Sequence, residues 1–250
     1  MRRILGPSLA ALLVASPLAL AHAEPFDADQ KKEIGEVVRA YLLEHPEVIV
    51  EAIQVLQNRQ AEEEATAAGA KVTELRDQLL RDTRDPVIGN PKGDVTVVEF
   101  FDYLCGYCKQ AQPVLMELVK ADPNLRIVMK EFPILREESR LASRAALASV
   151  AQGKYAAFHE ALINSRGLLS EDKIMTIATS VGLDTERLKK DMAAPAIEAH
   201  INDVHALAAQ LSINGTPSFV IGNTLVPGAV NLDTLKDLVA KARATCEGPC

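Results

Sequence analysis

At 250 residues the chain has room for one or two domains and a core of ordinary size. Its net charge of -7 is spread along the sequence with no basic face, which argues against nucleic-acid binding. Apart from one apolar run at the N-terminus, no segment is long and apolar enough to suggest a membrane span.

Residues 1–23 read as a cleaved export signal. Arg2 and Arg3 form a positive n-region, Ile4 to Leu20 is almost wholly apolar, and Ala21-His22-Ala23 supplies the small-x-small pattern for cleavage after Ala23. As an anchor the run is short and broken by Pro7 and Pro17, against the ~20 residues a spanning helix needs. No cysteine adjoins the cleavage point, which excludes lipid attachment there. The mature chain is expected in the periplasm, without membrane insertion, where oxidants drive thiols to disulfides. All four cysteines lie in that mature part, and proximity favours the pairs Cys105–Cys108 and Cys246–Cys250 among three pairings.

Residues 24–83 form a helical extension rich in Glu, Ala, Gln, Leu and Val. Ile34, Val38, Tyr41 and Leu42 recur at helical spacing until His45-Pro46, and Pro46 opens a second helix carrying Ile49, Ile53 and Leu56. Ala68, Val72, Leu75 and Leu79 follow a 4, 3, 4 spacing, a short coiled-coil seam, with Gln57 to Thr66 breaking the register before it. The block either packs on the main domain or meets copies of itself; self-association into a homo-oligomer is the expectation.

A turn-rich junction then opens the second domain, residues 84–245. After a short strand at Val87-Ile88, Val95–Phe101 reads as a buried strand, the cysteine pair begins a helix, and Arg126–Phe132 reads as another strand. Residues 138–211 form a helical insertion, with Ser170 and Asp184 as helix N-caps. Ser218–Ile221 and Leu225–Pro227 flank Gly222-Asn223 as a hairpin, and Asn231–Ala244 is a final helix. Residues 246–250 are a tail that a small Cys246–Cys250 disulfide would close. The layout is α/β, a thioredoxin fold with a helical insertion, preceded by the α-helical N-terminal extension.

A C-x-x-C pair can hold a metal, form an inert bridge or pass electrons. A closed zinc site needs four ligands, and no second C-x-x-C or H-x3-H pair is present. The strand–helix junction selects the redox reading. Cys105 there faces the unpaired N–H groups of the first helical turn, whose dipole favours a thiolate. Cys108 lies one turn on, so Cys105 attacks a substrate disulfide and Cys108 resolves the mixed disulfide. Glu99, flanked by apolar residues, is costly to bury unless protonated, paired or near water. It either sits beneath the cysteines and moves their proton or points to solvent from an edge. Tyr107 offers an exposed aromatic hydroxyl near the sulfurs, and Pro113 should kink the helix. His159, Met175 and Met192 read as ordinary helix packing or surface, and of His200 and His205 one is expected to face solvent.

"FFDYLCGYC", the insertion and "NGTPSFVIG" together resemble the DsbA family of bacterial thiol–disulfide oxidoreductases. More narrowly they are similar to its ScsC and Com1-like branch, whose members carry an N-terminal helical extension. The resemblance implies that Pro217 is a cis-proline facing the cysteines, that the backbone of Thr216 pairs with substrate chain, and that Glu99 is the family's acid six residues before the first cysteine. The inter-cysteine pair Gly106-Tyr107 departs from the Pro-His of DsbA itself. Expected catalytic residues are thus Cys105, Cys108 and Glu99, with Thr216, Pro217 and Tyr107 binding substrate; no cofactor or metal is expected. The expected partners are cysteine-containing protein substrates and a membrane redox partner. Isomerase or reductase activity is favoured over DsbA-like oxidation, and copper binding by the reduced pair is a further alternative.

Overall fold

The computed structural model describes residues 26–245; the expected export signal 1–23 and the expected Cys246–Cys250 bridge lie outside the described residues. The chain divides into two compact units after Asn58. The first contains helix α1 (Ala28–Glu44) and the start of α2 (Glu47–Glu74). Asp27 caps α1 by accepting the Gln30 N–H at 2.8 Å, while Gln30 Oε1 accepts the Asp27 N–H in return. No α1 side chain is buried, and Val37, Tyr41, Leu43, Val50, Ile53 and Leu56 are all exposed.

The second unit is built on a five-stranded sheet in the order β1 (Val87–Gly89), β3 (Leu125–Glu131), β2 (Val95–Phe101), β4 (Ser218–Ile221), β5 (Thr224–Pro227). Strands β2 and β3 are parallel, joined by helix α4 (Gly106–Ala121); the other pairings are antiparallel. Between β3 and β4 come α5 (Glu137–Ser149), α6 (Tyr155–Ile163), α7 (Glu171–Ser180), α8 (Thr185–Met192) and α9 (Pro195–Gln210), and α10 (Leu232–Thr245) ends the described chain. Ser170 and Asp184 accept N–H groups at the starts of α7 and α8. This is the α/β thioredoxin-type arrangement.

Every residue of β2 is buried because both faces of the sheet are covered, which is why the strand shows no polar alternation. On one face Val95, Val97, Phe101, Ile127 and Met129 join Leu115 and Leu118 of α4 and Leu235 and Val239 of α10. On the other, Val98, Phe100, Val128 and Val220 meet Val204 and Leu207 of α9 together with Val72, Leu75 and Leu79. Helix α3 (Arg76–Leu80) supplies Leu79.

Three expectations change here. The stripe read as a coiled-coil seam is core of the second unit: Leu79 is wholly buried against the sheet. A stripe at that spacing buries as well on a sheet face as on another helix, at about 1.5–3 kcal/mol per large side chain. Consequently the units divide well before the turn-rich junction at 84–93. Helix α2 runs unbroken through Gln57–Thr66, because losing the apolar register leaves good helix formers such as Gln, Ala and Glu in place. Finally His200 does not face solvent, and His205 is half-buried against Phe132. The His200 Nε2 lies 3.1 Å from Asp85 Oδ1, while Asp85 also pairs with buried Lys130, whose Nζ donates to Gln78 O at 2.6 Å.

Two glycines fit close approaches. Gly69 brings α2 against the β4–β5 turn, where an added Cβ would stand 3.2 Å from Asn223 O, and Gly89 (φ 81°) would place one 2.7 Å from Leu125 O.

Candidate active site

Strand β2 delivers the chain to Asp102, and this buried side chain builds the loop that follows. Its Oδ1 accepts the Leu104 N–H at 2.7 Å, and its Oδ2 accepts the N–H groups of Ile134 and Leu135 at 2.9 and 3.0 Å. Its carbonyl accepts the Cys105 N–H at 3.1 Å. The loop before α4 is thereby tied to the loop after β3, and Cys105 is held at the N-cap of α4.

There Cys105 Sγ accepts the Cys108 N–H at 3.4 Å, occupying the place of a capping oxygen. Both cysteines are free thiols, and Cys105 keeps 7 % of its surface exposed against 1 % for Cys108. Burial pushes the Cys108 thiol far above its ordinary range, with added pressure from the nearby Glu99 and Cys105. The asymmetry distinguishes an outer sulfur at the helix N-terminus from a buried inner sulfur that holds its proton.

The loop before β4 closes over the outer sulfur. The Thr216–Pro217 peptide is cis, and Cys105 Sγ–H donates to the Thr216 carbonyl at 3.2 Å, across 111 positions of sequence. Tyr107 stands out from the first turn of α4, 65 % exposed. Pro113 lies inside α4. Beside the nucleophile opens a cavity of about 770 Å³ whose lining includes Leu104, Lys109, Arg136, Arg166 and Leu168, apolar side chains with three cations among them. Lys109 Nζ reaches across to the Ser165 carbonyl.

Glu99 lies on the α4 face of β2, 2 % exposed, and does not point to solvent. Burial, followed by the charge of Glu131, pushes its carboxyl up to about 8. Its Oε2 has no hydrogen-bond partner. The structure thus brings Cys105, Cys108, Thr216, Pro217 and Glu99 together around one helix terminus, with Tyr107 at the rim.

Several residues of this site escaped sequence reading. Besides Asp102, a buried group surrounds Glu131 of β3, whose Oε1 accepts the hydroxyls of Tyr103 at 3.0 Å and Tyr155 at 2.8 Å. Of the two settings expected for His159, packing or surface, it takes the buried one, with Nδ1 3.0 Å from the Tyr103 oxygen and Nε2 3.2 Å from Gln112 Oε1. Burial lowers its pKa to about 3, so the ring is neutral at physiological pH. The one available signal was the two-residue period of β3, which sets Glu131 on the same face as Ile127 and Met129.

Residues 96–240 match the DSBA-like thioredoxin domain, and residues 30–63 match the copper resistance protein ScsC N-terminal domain. A thioredoxin-like oxidoreductase from Silicibacter pomeroyi is 54% identical in sequence, with a TM-score of 0.67 over 68% of this chain and 99% of that one. Proteus mirabilis ScsC, in a transitional conformation, is 30% identical at a TM-score of 0.65, covering 89% of this chain and 99% of its own. Among curated relatives, the Na(+)/H(+) antiporter NhaA 1 of Salinispora arenicola is 31% identical over 163 residues, 64% of this chain. The chain spans about a quarter of the length of that relative, the match covering 25% of it. Among the described residues no helix is long and apolar enough to cross a membrane. The chain belongs to the DSBA-like thioredoxin family of thiol–disulfide oxidoreductases, in its ScsC-like branch.

Proposed function

We propose that the protein is a periplasmic thiol–disulfide oxidoreductase that acts on protein disulfides as an isomerase or reductase. The observation that carries this reading is the contact between Cys105 Sγ and the Thr216 carbonyl, which sets the nucleophile against the cis-proline loop. In the forward direction Cys105 thiolate attacks a substrate disulfide, forming a mixed disulfide and expelling one substrate thiolate. Cys108 gives its proton to Glu99 and attacks Cys105 Sγ. The enzyme disulfide forms, and the second substrate thiolate leaves. Thr216, Pro217 and Tyr107 hold the substrate backbone, while the neighbouring cavity has room for the residues flanking its cysteine.

The first unit supports assembly. Its exposed Val37 and Tyr41 on α1 and Ile53 and Leu56 on α2 are apolar side chains that a second copy would cover. A homo-oligomer would shield its sites from an oxidising membrane partner, leaving Cys105 reduced and able to reshuffle disulfides. Val37→Lys combined with Ile53→Lys is expected to reduce the mass seen by light scattering to that of one chain; an unchanged mass removes this surface from the assembly.

Refolding of scrambled ribonuclease tests the activity itself. The mature protein should accelerate it and Cys105→Ser should not; acceleration that survives Cys105→Ser excludes the reading. A second reading, copper binding by the reduced pair, is favoured by the match to the N-terminal domain of a copper resistance protein. Thiolates are soft ligands suited to Cu(I). Competition with a Cu(I) chelator separates the two: tight binding lost in Cys105→Ser without isomerase activity supports copper, and activity without competition excludes it.

A further inference from the structure

The exchange mechanism uses Glu99 but not the second buried acid beside it. Strands β2 and β3 are parallel with Glu99 opposite Met129 and Phe101 opposite Glu131, so the two carboxylates are diagonal neighbours on the face that carries α4. Both are at most 2 % exposed, and each has an Oε2 without a hydrogen-bond partner. Their surroundings differ. Glu131 receives two phenolic O–H groups on Oε1. A neutral His159 adjoins that pair: Nε2–H donates to Gln112 Oε1 at 3.2 Å, which leaves Nδ1 an acceptor 3.0 Å from the Tyr103 oxygen. Of the two carboxylates, Glu131 is thus the one to which phenolic hydroxyls donate.

We propose that Glu131 is a positioning residue for proton transfer: it is the member of the carboxylate pair that takes the negative charge, and that charge holds the exchangeable proton on Glu99 beneath Cys108. The physical cause is differential solvation. Two like charges cannot both be buried cheaply, and hydrogen bonds to one carboxylate decide which ionises first. Burial raises both acids, each to about 8, but the hydroxyls of Ser143, Tyr155 and Tyr103 pull Glu131 back down. Other titratable groups around the pair are Cys108 from α4, Asp102 and Tyr103 from the loop after β2, and Tyr155 and His159 from α6.

The proposal rests on the exchange activity proposed above and completes its proton balance. When a substrate thiolate attacks Cys105 in the oxidised enzyme, the Cys105–Cys108 bond breaks and its electron pair passes to Cys108 Sγ. That sulfur takes the proton from Glu99. In the reverse direction the Glu99 carboxylate accepts the Cys108 proton as Sγ attacks the mixed disulfide and the substrate thiolate departs. Once ionised, Glu131 keeps its charge through the transfer and sets how firmly Glu99 holds the proton.

The test is the rate at which Cys108 resolves a Cys105–glutathione mixed disulfide, followed against pH in the wild type, Glu131→Gln, Glu99→Gln and the double variant. Loss of the Glu131 charge should move the midpoint of the wild-type profile downward, by on the order of one pH unit. Tyr155→Phe should move it the same way by less, since Glu131 then competes for the proton. In a Glu99→Gln background, Glu131→Gln should shift nothing. An unchanged midpoint in Glu131→Gln, or a shift that persists without Glu99, overturns the proposal. A merely structural Glu131 would alter stability in both backgrounds without moving a profile in only one. Infrared titration of the Glu99 carboxyl band reads the same coupling without glutathione. A wild type that forms no mixed disulfide defeats the exchange reading, while the infrared ordering still decides the carboxylate coupling.

Discussion

At the scale of single residues, the site depends on one sulfur capping a helix and one sulfur buried behind it. The two residues between them sit in the open: a Cβ on Gly106 would meet nothing within 4 Å, and Tyr107 is exposed. Gly106 is also the first residue of α4, a position that accepts proline. Replacing Gly106-Tyr107 by Pro-His should therefore leave the fold intact. A histidine N–H beside the Cys105 thiolate stabilises the reduced form, making the disulfide more oxidising. Equilibration with glutathione should show a potential raised by tens of millivolts, where roughly 30 mV is about 1.4 kcal/mol. An unchanged or lowered potential would mean that the dipeptide does not set the poise. The residues legible in sequence were those whose type and spacing encode chemistry: Cys105, Cys108, Glu99 and the Thr216-Pro217 pair. Asp102, Glu131 and His159 were not legible, because their partners lie 24 to 56 positions away and only the folded chain brings them together.

At the scale of elements, the sheet explains which helices are fixed. Strand β2 reads correctly from its β-branched and aromatic run, and the Gly222-Asn223 turn from its composition, because local rules decide both. Local rules do not decide what covers an apolar stripe. Val72, Leu75 and Leu79 have the spacing of a helical seam yet pack on Val98, Phe100 and Val128. Leu79→Ala should cost about 2–5 kcal/mol, the range for emptying a well-packed leucine site. Urea denaturation should record that loss while light scattering shows an unchanged subunit count. A variant of full stability and reduced mass would return this stripe to the role of an assembly seam.

At the scale of the whole molecule, the buried acids and the buried histidine shape stability against pH. Glu99 and Glu131 ionise near 4.5 in an unfolded chain and at about 8 in the folded one. The native state therefore binds more protons across that interval, and stability falls as pH rises through it. His159 acts with the opposite sign: its folded pKa of about 3 lies below 6.5, so stability falls as pH drops between those values. Urea midpoints of the disulfide form, in which the active-site cysteines do not titrate, should peak between about pH 4.5 and 6.5. Glu99→Gln should flatten the alkaline limb; stability that climbs steadily from pH 5 to 8 would contradict the buried-acid assignment. Disulfide exchange turns on the division of labour between the two sulfurs, and trapping the mixed disulfide reads it out. Reduced Cys108→Ser protein, mixed with a disulfide-bonded peptide, should accumulate a covalent adduct mapped by mass spectrometry to Cys105, while Cys105→Ser should accumulate none. An adduct on Cys108, or equal adducts in the two variants, would contradict it.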